Sequence, residues 1–271
     1  MLKQGFSVQT LCRIFKRLSE EYYWPGLVPD KYVCIDLETS GLHAGRDRIL
    51  QIGLTIVENK QPRQYTLAHK PELGTVPYLS YYMSVDPAIV TPKITEINRI
   101  TPEMISQYGI PQEQVLPLIL STLETCRDNG YTLVGHNFIR FDLPFLEAEM
   151  RMLGYTIENL KMPLVDTGMI VKALQLPVEP TIPMSSWFRQ IAELRAKGIY
   201  YALDRTCVPT FDLTQYGANV SAAHDAGYDC WVTHLLLNHL ADEVLQHCKC
   251  EEKVEQEKVK PAAASVNTVW R

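Results

Sequence analysis

The stretch YVCIDLETSGL, at residues 32–42, is the most informative part of the sequence for its architecture. Its first six residues are rich in β-forming side chains and are typical of a buried strand. Asp36 and Glu38 end that strand, and because side chains alternate along a strand they point to the same side. Neighbouring carboxylates repel each other unless a cation lies between them. One of the two could cap the following turn, but a cap would explain only one carboxylate.

The elements on either side of this stretch are strands at first and then alternate with helices. Further strands are predicted at residues 48–58, 63–68 and 132–135, and residues 69–90 are predicted to be irregular. Helices are predicted at residues 1–22, from residue 101 onward, and at residues 112–129, 142–153, 169–174 and 226–248. This order predicts an α/β fold with a mixed β-sheet flanked by helices.

Two further segments place polar residues at the ends of predicted elements. GHNFIRFD, at residues 135–142, ends a strand and begins a helix at Asp142, which could alternatively serve only as the cap of that helix. HDAGYD, at residues 224–229, puts Asp229 in the first turn of the last helix and His224 in the loop before it. Carboxylates suit Mg²⁺ or Mn²⁺, and two such ions can hold the attacking water and the leaving oxygen of a phosphodiester. A neutral histidine can accept the proton of that water near pH 7.

Composition and charge narrow the classes of function. The 271 residues are 46% hydrophobic and carry a formal net charge of −5, which argues against a protein that coats nucleic acid but not against a nuclease. No apolar run approaches the length of a membrane span, so no membrane association is expected. The seven cysteines show no CxxC pair and are expected to be reduced thiols, which favours a cytoplasmic location. The basic N-terminus is either an organellar targeting segment or an amphipathic helix that packs on the domain.

The three motifs together identify a family resemblance. IDLETSGL at residues 35–42, GHNFIRFD at 135–142 and HDAGYD at 224–229 occur in the order and spacing of the DEDDh, DnaQ-like 3′-to-5′ exonucleases. The similarity extends over roughly residues 30–245. It implies a ribonuclease H-like fold and two metal ions, Mg²⁺ or Mn²⁺. The implied metal ligands are Asp36, Glu38, Asp142 and Asp229, and His224 is implied to be the general base.

The resemblance also implies contacts with the substrate. The residues expected to meet the terminal nucleotide are Leu37, Thr39, Leu42, Asn137 and Phe141, with Leu42 as an apolar wedge against a base. His136 and Asp166 receive a structural role only. The expected substrate is the 3′ end of single-stranded nucleic acid, which is shortened to 5′-mononucleotides. DNA is favoured over RNA because the motif spelling is closest to proofreading enzymes. An exoribonuclease and an inactive nucleic-acid-binding relative are the alternatives.

The sequence divides into three parts. Residues 1–29 are predicted to form a helical extension and linker, residues 30–250 the exonuclease domain, and residues 251–271 a disordered tail that could dock a polymerase or another protein partner. Residues 176–212 form an insertion relative to the family. Within it, residues 187–205 combine basic and aromatic side chains and are expected to line the substrate groove. The alternative is a surface helix that buries Trp187 and Ile191.

Overall fold

A six-stranded mixed sheet forms the centre of the computed structural model, which describes residues 6–157 and 160–259. The strands are β1 (Lys31–Thr39), β2 (Ile49–Glu58), β3 (Gln61–Pro62), β4 (Tyr65–Thr66), β5 (Thr75–Val76), β6 (Leu79–Tyr82), β7 (Thr132–Gly135) and β8 (Leu164–Asp166). The order across the main sheet is β3-β2-β1-β7-β8, and β6 also pairs with β2. β4 and β5 form a separate two-stranded sheet.

The direction of the strands fixes where the motifs meet. β1 is antiparallel to β2 and parallel to β7, and β7 is parallel to β8. The carboxyl ends of β1, β7 and β8 therefore lie at one edge of the sheet, which is where open α/β sheets usually place their sites.

Nine helices of the described residues flank the sheet. They are α1 (Val8–Tyr22), α2 (Pro92–Asn98), α3 (Pro102–Tyr108), α4 (Gln112–Asp128), α5 (Asp142–Met152), α6 (Thr167–Ala173), α7 (Met184–Glu193), α8 (Val208–Thr210) and α9 (Ala226–Val259). α4 lies in the connection from β6 to β7. α5 lies in the connection from β7 to β8. Among the described residues, no helix has an apolar run long enough to cross a lipid bilayer.

The N-terminal helix belongs to the main core of the domain. Leu11, Ile14, Phe15 and Leu18 are fully buried and form one face of α1, as their helical spacing predicts. They lie in the same apolar cluster as the central strand β1. Of the two interpretations of the basic N-terminus, the packed amphipathic helix matches the described part of this segment.

Most strands and helices lie where the sequence predicts them, but two strand predictions are wrong. Residues 63–68 do not form one strand, since Pro62 ends β3 and β4 begins a separate small sheet. Residues 69–90 are not wholly irregular, because β6 lies among them and extends the main sheet beside β2. Strand β6 has only four residues and a proline shortly before it, so the sequence signal for a strand is weak.

The boundary predicted at the C-terminal tail is also wrong in part. α9 continues to Val259, past residue 251 where disorder was predicted. The sequence EEKVEQEKV is rich in strong helix formers, and these prolong a helix that the core has already nucleated. The rest of the predicted tail, residues 260–271, lies outside the described residues.

Candidate active site

A cleft of about 470 Å³ opens at the edge of the sheet where the parallel strands end. All five polar residues of the three motifs line it, namely Asp36, Glu38, Asp142, His224 and Asp229. They come from the end of β1, the first turn of α5, and the loop and first turn of α9. The structure therefore brings the complete predicted set into one site.

Asp36 and Glu38 reach the cleft from the last residues of β1. Asp36 lies opposite Gly53 in the antiparallel register of β1 and β2. A Cβ at Gly53 would overlap the backbone of Ala226, the first residue of α9. The absence of a side chain at Gly53 thus lets the first turn of α9, which carries Asp229, approach the central strands.

The carboxylate of Asp142 accepts a hydrogen bond from the backbone of the first motif. The backbone N–H of Leu37 donates a hydrogen bond to Oδ1 of Asp142 over 2.9 Å. Asp142 is the first residue of α5, and Phe141 occupies the capping position, so the alternative of a simple helix cap does not apply. Its side chain is buried and points into the cleft.

The loop before α5 is held by the buried carboxylate of Asp166. The backbone N–H groups of Asn137 and Ile139 donate to it over 2.8 and 3.0 Å. Burial raises the pKa of Asp166 to about 6, although these hydrogen bonds oppose the shift. Asp166 thus has the structural role that the sequence predicts. Gly168 allows the loop to come close, because a Cβ there would crowd the backbone of Asn137.

His224 and Asp229 are linked through the backbone. The N–H of His224 donates to Oδ2 of Asp229 over 3.0 Å. His224 has a φ of 68°, in the left-handed region that non-glycine residues seldom occupy. The bond to Asp229 holds this loop conformation, and the imidazole lies beside the carboxylates with its side chain 33% exposed.

A polar network behind the third motif was not predicted. Asp225 accepts a hydrogen bond from Nε2 of Gln51 over 3.0 Å and pairs with Lys70. The Oε1 atom of Gln51 accepts from the N–H of Ala226 over 3.1 Å. Burial alone would raise the pKa of Asp225, but the Lys70 ammonium and these hydrogen bonds lower it. A glutamine at position 51, inside an otherwise apolar strand, is a sequence signal for such a network, and its side chain is fully buried in the structure.

The carboxylates of the cleft repel one another. Burial, followed by the charges of Asp142 and Asp229, raises the pKa of Asp36 well above its ordinary value. Glu38 and Asp142 have pKa values that burial and neighbouring acids raise in the same way. Burial also raises the pKa of Asp229 to about 7, against the opposing hydrogen bond from His224. Such a cluster of acids calls for a cation to neutralise it.

One subset of the cleft has the spacing of a metal-binding group. Ligand atoms of Glu38, His224 and Asp229 all lie within 4.8 Å of one another. Asp36 and Asp142 line the same cleft and add a partly buried and a buried carboxylate. The four carboxylates of the cleft supply hard oxygen donors, which fit a divalent cation of the Mg²⁺ type.

Asp204 is the residue of this site that sequence reasoning missed. Its Oδ2 lies 3.4 Å from Nε2 of His224, while Nδ1 of the same ring lies 3.9 Å from Oε1 of Glu38. Asp204 belongs to a short π-helical turn at Leu203–Cys207, inside the insertion. Nothing in the three motifs points to a residue so far from them in the sequence.

A second cleft, of about 680 Å³, adjoins the first. Glu38 and Phe141 line both clefts, whereas Thr39 and Leu42 line only the second. Leu37 and Asn137, the other predicted substrate contacts, line the first cleft. Leu42 is 77% exposed, which is unusual for a large apolar side chain, and it lies on the rim of the second cleft.

The insertion has two parts with different roles. α7 packs into the core, and residues 199–206 form one wall of the first cleft. Trp187 and Phe188 of α7 are buried, with 2% and 0% exposure, so the prediction that they contact substrate is wrong and the alternative of a packed helix applies to them. The side chains at residues 199–206, among them Tyr201 and Arg205, do line the cleft. The helical spacing of the apolar residues in α7 separates the two parts.

His136 fastens this wall to the second motif. Its Nε2 lies 2.6 Å from the carbonyl oxygen of Tyr201, and its Nδ1 lies 3.0 Å from Oγ1 of Thr167. Burial lowers the pKa of His136 to about 4, so the ring is neutral at pH 7. Both ring nitrogens of His136 thus have partners within the protein, which agrees with the structural role predicted for it.

Comparison with known proteins gives matches to an exonuclease family, to DNA polymerases and to an exonuclease. The RNase T family model, which describes an exonuclease, matches residues 33–198. The PolC-type DNA polymerase III of Mycoplasma genitalium is 34% identical over 137 residues, which are 50% of this chain and 8% of that protein. The chloroplastic/mitochondrial exonuclease DPD1 of Arabidopsis thaliana is 28% identical over 173 residues, 63% of this chain and 48% of that protein. The chain thus spans less than half the length of either relative.

Solved structures of exonuclease I have the same fold. The E. coli enzyme in complex with a dT13 oligonucleotide has a TM-score of 0.55 at 16% identity, covering 82% of this chain and 43% of that one. Exonuclease I from Methylocaldum szegediense has a TM-score of 0.53 at 17% identity, covering 84% of this chain and 45% of that one. The likeness confirms the prediction of a ribonuclease H-like fold.

Proposed function

The chain belongs to the RNase T exonuclease family, and from that membership we propose that it is a divalent-metal-dependent 3′-to-5′ exonuclease of single-stranded nucleic acid, with DNA preferred. The observation that carries the proposal is the convergence of four acidic side chains and one imidazole in a single cleft. This combination suits phosphodiester hydrolysis, in which negative charge must be neutralised and a water molecule must lose a proton.

The acidic residues are proposed to hold the metal ions. Asp36, Glu38, Asp142 and Asp229 would bind two ions, Mg²⁺ or Mn²⁺, because their mutual repulsion favours cation binding over the metal-free state. When bound, such ions neutralise the charge of the scissile phosphodiester and activate it toward attack.

His224 is proposed to be the general base. Its ring lines the cleft beside Glu38, within reach of a water molecule that attacks a phosphodiester held by the acidic residues. The neutral imidazole accepts the proton of that water as the new P–O bond forms. The bond from phosphorus to the 3′ oxygen of the preceding nucleotide breaks, which leaves a new 3′-hydroxyl on the shortened strand and releases a 5′-mononucleotide.

The second cleft is proposed to receive the terminal nucleotide. It shares Glu38 and Phe141 with the catalytic cleft, so a nucleotide there would present its phosphodiester to the acidic residues. The exposed side chain of Leu42 offers an apolar surface for a base, and Thr39 lies near the sugar position. A strand with a free 3′-hydroxyl fits this arrangement, whereas a 3′-phosphate would add charge next to the carboxylates.

Support for DNA comes from the relatives. The PolC-type proteins are DNA polymerases, and solved complexes of exonuclease I contain dT13 or dA16 oligonucleotides. The polymerase relatives also make a replication protein a reasonable partner for this chain.

Digestion of matched oligonucleotides tests the proposal. Single-stranded DNA and RNA of one sequence, each labelled at the 5′ end, are incubated with the enzyme in Mg²⁺ or Mn²⁺. The expected result is a descending ladder on DNA, a slower ladder on RNA, strong inhibition by a 3′-phosphate and no cutting of circular DNA. Immediate release of the labelled mononucleotide, or cutting of the circle, would contradict the polarity or the exonuclease class. Faster decay of RNA would contradict the preference for DNA.

Two variants control for contaminating nucleases. Asp229→Ala removes a carboxylate of the cleft and is expected to abolish activity. Asp30→Ala removes an exposed carboxylate just before β1 and outside the cleft, and should digest DNA like the unaltered protein. Equal activity in the two variants would assign the digestion to a contaminant.

A further inference from the structure

The imidazole of His224 lies between two carboxylates. Nδ1 faces Glu38 at 3.9 Å, and Nε2 faces Asp204 at 3.4 Å. Glu38 belongs to the acidic cluster, whereas Asp204 comes from the insertion and approaches the ring from the opposite side. The insertion therefore adds a group to the catalytic cleft that the three motifs do not contain.

We propose that Asp204 is a positioning residue that accepts the Nε2 proton of His224, fixing the orientation and tautomer of the ring and leaving the Nδ1 lone pair directed toward the acidic cluster. The inference rests on the proposed function of His224 as general base. A carboxylate that orients a catalytic histidine in this way is a recurring arrangement in hydrolases. The 3.4 Å separation is slightly long for a hydrogen bond, and catalytic hydrogen bonds commonly shorten when substrate binds.

The backbone around Asp204 is well held. The N–H groups of Thr206 and Cys207 both donate to the carbonyl oxygen of Ala202 over 3.0 Å, which closes the π-helical turn. Cys207 is fully buried. Such single π-helical turns are frequent at functional sites, where they redirect a side chain.

The same segment is fastened to the second motif. Tyr201 accepts a hydrogen bond from His136 through its carbonyl oxygen and from Arg140 through its hydroxyl, over 2.6 and 3.3 Å. The ammonium of Lys172 lies 5.7 Å from the centre of the Tyr201 ring. These contacts tie the segment that carries Asp204 to the second motif, as a positioning residue requires.

The imidazole of His224 requires a partner that fixes its orientation. Its backbone is held by Asp229, but its side chain stands in a loop and is one-third exposed. Rotation about the side-chain bonds would move the basic nitrogen away from the acidic cluster. A carboxylate at Nε2 restricts that rotation and selects the tautomer with the proton on Nε2.

A double-mutant cycle on the full chain tests the inference. Asp204→Ala and Asp204→Asn are made with His224 present and with His224→Ala, and kcat and KM are measured on a single-stranded DNA oligonucleotide at saturating Mn²⁺. The expected loss in kcat is about 10- to 100-fold for Asp204→Ala, with KM changed less than about 2-fold. Asp204→Asn keeps an acceptor oxygen and should recover part of the loss. In the His224→Ala background the effect of Asp204→Ala should disappear.

A matched control lies in the same insertion. Asp212 is exposed and does not line the cleft, so Asp212→Asn should leave kcat unchanged. An equal fall in kcat for Asp204→Ala in both His224 backgrounds would overturn the inference, since Asp204 would then act without His224. Loss of Mn²⁺-induced thermal stabilisation in Asp204→Ala would also overturn it, because it would make Asp204 a metal ligand.

Nitrogen NMR provides a readout independent of activity. The ¹⁵N shifts of His224, assigned by comparison with His224→Ala, report which ring nitrogen carries the proton. The Nε2–H form should predominate at neutral pH and decrease in Asp204→Ala but not in Asp212→Asn. If the unaltered protein digests no nucleic acid, the proposed function fails while the NMR measurement still tests the Asp204–His224 contact. An unchanged tautomer ratio in Asp204→Ala would overturn the inference itself.

Discussion

The backbone N–H of Leu37 donates to the Asp142 carboxylate across 2.9 Å, so an acidic residue of the cleft is also part of the framework that joins β1 to α5. Asp142 consequently has two opposing effects. Its charge is repelled by neighbouring acids in a buried place, but its oxygen satisfies a backbone donor that would otherwise lose its partner.

This double role predicts different effects for two substitutions of Asp142. Asp142→Asn keeps an acceptor for the N–H of Leu37 and removes the charge. Without metal at pH 7, this variant should therefore unfold at a higher temperature than the unaltered protein. Asp142→Ala removes the acceptor as well and should be less stable than Asp142→Asn by about 1–3 kcal/mol. Both should lose activity and the stabilisation by Mg²⁺. Thermal unfolding with and without Mg²⁺ measures these effects, and equal stability of the two variants would contradict the role of the hydrogen bond.

The raised pKa of Asp142 also predicts a pH dependence in the metal-free protein. In the folded state this carboxyl holds its proton to a higher pH than in the unfolded chain. Its cost to stability is therefore absent below the unfolded pKa, near 4, and grows as the pH rises toward the folded pKa. The free energy of unfolding of Asp142→Asn relative to the unaltered protein should increase over this range. A constant difference from pH 4 to pH 7, measured by urea unfolding, would contradict the raised pKa.

His136 predicts the opposite dependence. Burial lowers its pKa to about 4, compared with about 6.5 in an unfolded chain. Unfolding therefore takes up a proton between these values, and stability falls as the pH drops from 6.5 to 4, by at most about 1.4 kcal/mol per pH unit for this one group. His136→Asn should flatten that part of the pH profile, which urea unfolding at pH 5 and pH 7 measures. His234 has a similarly lowered pKa, so a residual slope should remain.

Two basic residues of the insertion, Arg189 and Arg205, should differ in their contribution to the binding of single-stranded nucleic acid. Arg205 lines the catalytic cleft, whereas Arg189 is exposed on α7, away from the residues that line it. Arg205→Glu should weaken binding of a single-stranded oligonucleotide in Ca²⁺ and reduce the slope of log K against log salt by about 0.7 or more. Arg189→Glu should leave both unchanged. Fluorescence anisotropy at several salt concentrations provides the comparison, and equal slopes for the two variants would remove Arg205 from the substrate path.

Leu42 should act on substrate binding rather than on chemistry. It is exposed at the rim of the second cleft, where a base could rest against it. Leu42→Ala should raise KM for single-stranded DNA by about 5- to 30-fold, corresponding to about 1–2 kcal/mol of lost apolar contact, with little change in kcat. Leu118 on α4 is also exposed and lies outside both clefts, so Leu118→Ala should leave KM unchanged. A fall in kcat alone for Leu42→Ala would assign this residue a different role.

The sequence predicted those parts of the molecule that depend on local order. The buried strand at Tyr32–Leu37 and the three motifs could be recognised because each combines a residue pattern with an element boundary, and the parallel arrangement of β1 and β7 then brings them together. The contact of Asp204 with His224 could not be predicted in this way. It depends on how a non-motif insertion folds back across the cleft, and no periodicity or spacing encodes that path.

Trp187 lies in a sequence pattern that is compatible with two different structures. A tryptophan followed by basic residues is compatible with base stacking and equally with a helix that buries its apolar face. Only the packing of α7 against α6 and the core distinguishes the two, and it places Trp187 inside. Similarly, the weak signal of β6 became a strand because the edge of β2 at Gln51–Leu54 offered hydrogen-bond partners.

The close approach of α9 to Gly53 has a consequence for how inherited or engineered changes would be interpreted. Gly53 has no side chain and lines neither of the two clefts described above, yet any side chain there would displace the turn that bears Asp229. A screen for lost activity would therefore group Gly53 with the acids of the cleft, although its substitution alters spacing and not chemistry. We expect compensating substitutions among residues 219–226, which lead into α9, because widening the gap beside residue 53 restores the alignment without restoring the glycine.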